Sequence, residues 1–218
     1  MATLKEIIYN IKNLQGRGEF TDDLKLSDRQ LEFIINHFRA ELAAQKANTN
    51  KSTDGFYQQL TNLKLSGTKD FRPQHPEVKI FKSDKLPTLA KYHHGSRTHF
   101  VGTRDGMFPF QKSEIHTFNL DMENPYVRNT FFTHGGYLYV CTKNSNLIRE
   151  VYIEGVFDSP REVAELEGKI DPFDEFNWHY PIPNGVIGQL NNFILNNEYR
   201  WMHILNADTE NNGKDDKN

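Results

Sequence analysis

The chain has 218 residues, a net charge of −3 and a pI of about 6.3, a balance that excludes the electrostatic footprint of a protein gripping a polyanion. Its single cysteine, Cys141, excludes an intrachain disulfide and a thiolate-rich metal site, and no apolar run of about 18 residues offers a membrane-spanning helix. The hydrophobic fraction is 37% and mean hydropathy is −0.71, yet there are 16 Phe and 9 Tyr, so small cores and aromatic contact surfaces are expected. The N-terminus shows no apolar signal-peptide core, and a reducing cytoplasm fits as the place of synthesis.

The stretch from Thr3 to Ala47 reads as a helical hairpin. Thr3-Leu4-Lys5-Glu6 is a capping box, and Leu4, Ile7, Ile8, Ile11 and Leu14 follow at the spacing of one helical face. Gly16 and Gly18 supply a helix stop. A second capping box, Ser27-Asp28-Arg29-Gln30, opens a second helix with the stripe Leu31, Ile34, Ile35, Phe38 and Leu42. Two capped, striped helices on a short link predict antiparallel packing along an apolar seam.

After a polar loop over 47–55, Asp54 is positioned to cap a short helix through Phe56–Leu60, and Leu63-Lys64-Leu65 reads as a short strand. Residues 66–76 are turn-rich. Val78–Phe81 and Thr98–Gly102 are strands; Thr103-Arg104-Asp105-Gly106 has hairpin-turn chemistry, with Met107–Phe110 as the return arm and Pro109 placing that arm at an edge. Asn124-Pro125 opens a short polar stretch. Gly135-Gly136 leads into the strand Tyr137–Thr142, Lys143–Asn146 is a turn, and Leu147–Phe157 returns, which predicts a hairpin over 137–157. Asp158-Ser159-Pro160 starts a helix to about Leu166. Residues 169–182 are irregular and aromatic. Pro183 opens a last helix whose broad apolar face runs from Val186 to Met202, and this face is expected to share the seam of the N-terminal hairpin.

The predicted fold class is α+β: the N-terminal helical hairpin and the C-terminal helix form a small bundle, with antiparallel β-hairpins in the middle. One domain is expected over 1–205, helical over 1–60 and 183–205 and β-rich over 61–157, with a polar tail over 206–218 that cannot bury apolar area.

The residues point to no catalysis. The nine histidines show no HxH, HxxxH or HExxH spacing, so ordinary surface or interface histidines are expected. Gly16-Arg17-Gly18 follows a helix and lacks the phosphate-loop pattern. Cys141 lies between Val140 and Thr142 in a strand and reads as a small buried hydrophobe. Asp22/Asp23 and Asp171/Asp174/Glu175 read as solvated carboxylates, the latter group able to hold a cation weakly. Lys79, Lys82, Lys85, Lys91, Arg97 and Arg104 form a loose basic excess that could touch DNA phosphates or an acidic protein surface, but at a net charge of −3 a solvated face is expected. The aromatic stretch Phe173–Tyr180 suits a core lid and a subunit contact equally. No catalytic, cofactor-binding or metal residue is assigned, and no cofactor is expected.

A resemblance adds to this reading. Leu4–Leu14, Leu26–Gln30, Phe38–Leu42 and Phe56–Leu60 are similar to segments of structural proteins of crAss-like bacteriophages. So are Phe100–Gly102 with Asp105-Gly106 and Pro109-Phe110, Ile153–Val163, and Tyr180–Pro183 with the final helix. Together they span residues 3 to 205. The family resembles the head-to-tail connector, or collar ring, proteins of short-tailed phages. The resemblance implies a non-enzymatic virion protein of the neck and tail, assembled in the host bacterial cytoplasm as a dodecameric ring below the portal. Its implied partners are further copies of itself, the portal protein, adjacent ring or tail proteins, and DNA that passes through the channel without sequence-specific binding. On this reading the 1–47 hairpin and the last helix build the ring, and hairpins at 98–110 and 137–157 reach neighbouring rings. A small DNA-binding or regulatory phage protein, and an enzyme with a dispersed site, are the competing classes.

Overall fold

The computed structural model describes residues 2–15, 26–49, 53–92, 95–96, 98–103, 108–124, 126–143 and 149–196. The chain forms two compact units: Phe56–Lys169, and Met1–Gly55 together with Ile170–Asn218. The Gly16–Gly18 stop, the turn residues 104–107, the helix beyond 196 and the polar tail lie outside the described residues.

The 56–169 unit is built on one mixed, seven-stranded sheet. Its strands are β1 (Gln58–Gly67), β2 (Lys79–Lys85), β5 (Thr98–Thr103), β6 (Gln111–Lys112), β7 (Asn129–His134), β8 (Tyr137–Thr142) and β9 (Glu150–Gly155), in the order β5-β9-β1-β2-β8-β7-β6. A separate two-stranded ribbon pairs β3 (Lys91–Tyr92) with β4 (Gly95–Ser96). Only β6–β7 is parallel within the large sheet.

The two ends of this sheet nearly meet. Residues 108–110 bond to β5, through Thr103 N–H to Phe108 O (3.2 Å) and Phe110 N–H to Val101 O (2.8 Å). The same segment continues as β6 against β7, and Ser113 N–H donates to Phe131 O (2.8 Å). A short run of chain thus bridges both edge strands, which gives a nearly closed, barrel-like sheet.

Three bulges bend the sheet toward closure. In β1, Leu60 and Leu63 face Ile153 and Val151; in β2, Lys82 and Lys85 face Tyr139 and Tyr137; in β5, Thr98 and Phe100 face Gly155 and Glu154. Each places one extra residue opposite its partner strand, which increases local twist and bends the strand. Side chains satisfy the backbone that two of the bulges disturb. Thr61 N–H donates to Glu167 Oε1 at 2.7 Å, and Ser83 Oγ accepts from Leu138 N–H at 3.0 Å.

Strand alternation divides the apolar residues between two clusters. Leu138 and Val140 of β8 join Leu60, Val101, Val151, Ile153 and Phe157 in one core. Tyr139 and Cys141 point the other way, joining Ile80, Phe132, and Phe118 and Met122 of α3 (Phe118–Glu123). Because β8 is covered on both faces, Tyr137–Thr142 reads as an almost uninterrupted apolar run. A second helical cover is α4 (Pro160–Leu166), which packs against β1.

The other unit contains α1 (Leu4–Gln15), α2 (Asp28–Asn48) and a last helix, α5 (184–196). Both sequence-predicted capping boxes form. Glu6 N–H donates to Thr3 Oγ1 (3.2 Å) while Thr3 N–H donates to Glu6 Oε2 (2.9 Å), and Ser27 and Gln30 make the same reciprocal pair at α2. Leu4, Ile7, Ile8 and Ile11 are buried as the stripe predicts, whereas Leu14 is exposed. Phe38 of α2 stacks on Phe193 of α5 with ring centroids 6.0 Å apart.

The predicted fold class is overturned. The protein is organised mainly on the barrel-like sheet with a few helices, not on a helical bundle with β-hairpins between its arms. The hairpin over 137–157 does not exist: β8 pairs with β2 and β7, while β9 pairs with β1 and β5. The physical reason is closure, since non-local pairing buries both faces of β8 in a way no isolated hairpin can. The short helix expected over Phe56–Leu60 is instead the start of β1, and Asn129–His134, for which no element is expected, is β7.

Candidate assembly interface

The start of α1 is fastened by an extended segment of the same unit. Leu4 N–H donates to Trp178 O (3.1 Å), Lys5 N–H to Phe176 O (2.9 Å), and Tyr180 N–H to Ala2 O (3.0 Å). Thr3 and His179 form an isolated antiparallel bridge. The first amides of a helix lack intrahelical partners, so residues 176–180 and the capping box together satisfy that end of α1.

Ion pairs hold the next stretch. Lys5 Nζ lies 2.6 Å from Asp174 Oδ2, and Arg29 of α2 bonds to Glu175 while its guanidinium sits 5.6 Å from the Phe176 ring centroid. The Asp174 and Glu175 carboxylates, foreseen as solvated or weakly cation-binding, are therefore engaged by cations of this chain. Between these anchors the chain makes a tight turn. Asp171 and Asp174 form a bridge, Asp174 N–H donates to Asp171 O (3.2 Å), and Phe173 N–H donates to Asp171 Oδ1 (2.9 Å). At the tip of that turn Phe173 is 97% exposed.

The aromatic stretch thus divides between the two roles weighed for it. Trp178 and Tyr180 are core residues, Tyr180 fully buried with its hydroxyl donating to Asn36 Oδ1 at 2.7 Å. Burial raises the Tyr180 phenol well above its ordinary range, so it stays a neutral donor. Phe173 is instead a bare aromatic ring on a braced turn. A fixed aromatic loses little conformational entropy on docking, which is why such residues serve as interface anchors.

At the far end of α2 a groove opens between α2 and α5. Leu42 and Phe193 supply its apolar part, and Gln45, Gln189, Asn192 and Asn196 its carboxamide rim. Exposed apolar residues occur on both units: Tyr9 and Phe33 on the helices, Phe108 at the sheet seam, Tyr126 after α3, and Leu166 at the end of α4. Leu166 lines a second groove with Leu60, Leu63 and Pro87, bordered by Asp84 and Glu167.

Residues weighed for chemistry take other roles. Cys141 is fully buried, and burial pushes its thiol up to about 12, so it is a protonated core residue. Lys82, counted in the basic excess, lies 2.8 Å from Asp70 and 4.1 Å from the Tyr137 ring centroid. The exposed side chain of His99 stacks on Tyr57 at 4.4 Å, while Lys91, Arg97 and Arg104 have no described side chains. Among the described residues no group of three metal-ligating side chains gathers, and no helix is long and apolar enough to cross a membrane.

The braced Phe173 turn and the α2–α5 groove both lie on the unit of residues 1–55 and 170–218. A family model described as phage tail ring protein 2 of crAss-like phages matches residues 6–217. The chain belongs to that family of phage tail ring proteins, structural proteins of the virion. A comparison with curated proteins gives no match.

The sequence carried a signal for Phe173 in its density of aromatics and in the Asp171-Pro172-Phe173-Asp174 turn pattern. The groove carried none, because its rim residues are ordinary polar positions on two helices distant in sequence.

Proposed function

We propose that this chain is a non-enzymatic ring subunit of the phage neck that sits below the portal, extends the DNA channel and joins head to tail. The family match over residues 6–217 is the observation that carries this reading. The ring is a dodecamer, built in the host bacterial cytoplasm, and its unit of residues 1–55 and 170–218 makes the contacts between neighbouring copies. A closed ring needs two different complementary patches on each subunit, since a head-to-tail contact closes only by rotation. A net charge of −3 favours a channel wall along which DNA slides instead of sticking.

The test is assembly with the purified portal protein. Rings of this chain should bind the portal and leave a continuous axial channel visible by electron microscopy. Rings that form but never associate with the portal would place the protein elsewhere in the tail. Deleting residues 1–47 should abolish ring formation.

A further inference from the structure

We propose that Phe173 of one subunit seats in the groove between α2 and α5 of the next copy. This inference rests on the ring reading above and names the contact that closes the ring.

The two features lie at opposite ends of the same helix. The turn bearing Phe173 is tied to Arg29 through Glu175 and Phe176, in the first turn of α2. The groove begins at Leu42 and Gln45, near the last turns of α2. At about 1.5 Å per helical residue, Arg29 and Leu42 are about 20 Å apart along the axis. Phe173 therefore cannot fill its own groove, while a second copy can bring its groove to it. A protruding group at one end and a recess at the other is the arrangement a head-to-tail ring contact requires.

The chemistry of the two patches also matches. Phe173 offers an apolar ring beside the acceptor oxygens of Asp171 and Asp174. The groove offers Leu42 and Phe193 for the ring, and four side-chain carboxamides whose N–H groups can donate to those carboxylates. Its named lining residues include no carboxylate that would repel the acidic turn. The turn is braced by Lys5, Arg29 and its own Asp171 bonds, so docking orders little that is not ordered already.

The experiment compares the sedimentation mass of the wild-type chain with Phe173→Ala and Asn192→Trp, both at exposed positions, with thermal unfolding confirming that each variant folds. Disulfide formation in a Phe173→Cys/Asn192→Cys double variant is followed in parallel. Wild type should form rings. Each single variant should weaken assembly roughly 30-fold or more, the loss typical of a buried aromatic anchor. The double-cysteine variant should give a ladder of covalently linked subunits on a non-reducing gel, since the buried Cys141 cannot contribute. Folded F173A that assembles like wild type, or a double-cysteine variant that gives no ladder while it forms rings, overturns this contact and leaves the ring reading standing. A wild-type chain that stays monomeric alone and with the portal overturns the ring reading, and this contact with it.

Discussion

The Nε–H of Arg39 donates to the carbonyl oxygen of Pro181 at 2.7 Å, and Arg39 is fully buried. Its guanidinium also lies 5.8 Å from the centroid of the Tyr180 ring. This single side chain, midway along α2, fixes the segment that leads back to the start of α1. Arg39→Met keeps most of the volume but leaves the Pro181 carbonyl without its donor, and should cost about 1–3 kcal/mol. Arg39→Ala adds a cavity and should cost more, about 3 kcal/mol or above. Urea unfolding of the two variants checks both the size and the order.

The seam of the sheet makes a second prediction. A Cβ at Gly102 would lie 2.6 Å from the backbone oxygen of Phe108, on the segment that closes the barrel-like sheet. Gly102→Ala must therefore push the 108–110 segment away or distort β5. The expected cost is about 1–3 kcal/mol, with faster amide exchange at Thr103 and Phe110, the two amides that bond across the seam. Unchanged exchange at both would contradict closure by this segment.

Glu167 gives a third. It caps the β1 bulge from just beyond α4, accepting from the Thr61 amide at 2.7 Å and from the Thr61 hydroxyl at 3.1 Å. Glu167→Ala strands a partly buried amide and should cost about 1–3 kcal/mol, whereas Glu167→Gln, which keeps an acceptor oxygen, should cost less. Chemical denaturation distinguishes them.

Acid dependence follows from Asp70. Hydrogen bonds from Lys82 first, and then from Tyr139, hold its carboxyl below the ordinary carboxylate value, and the same Asp70 bond raises Lys82. A depressed carboxyl contributes stability above its unfolded pKa, and that contribution is lost as pH falls through the folded value. Wild type should therefore lose a small increment of stability below about pH 4, and Asp70→Asn should lack that increment. Melting temperatures measured across this acid range, for both proteins, supply the check.

Much of the local structure was legible in the sequence. The capping boxes and the strand Tyr137–Thr142 that follows Gly135-Gly136, where φ is +60° and +83°, rest on a few neighbouring residues, and both are present. What misled was β1. Its apolar residues stand at 60, 63 and 65, and the bulge between Leu60 and Leu63 interrupts the two-residue period. Read without the bulge, the segment looks like a helix followed by a short strand. Pairing was harder still, because β8 and β9 are neighbours in sequence and part company in the sheet. Nothing local distinguishes an adjacent hairpin from two strands that close a barrel with distant partners. At the candidate interface, the aromatic stretch was visible, but the split between buried Tyr180 and bare Phe173 depends on which carbonyls and amides meet the start of α1.

The central claim is that this chain works as a ring subunit, and the mass of the purified protein by sedimentation velocity, alone and with portal protein, tests it most directly. The account predicts a discrete closed oligomer of dodecameric size, either free or bound to the portal. A monomer that persists under both conditions would contradict it.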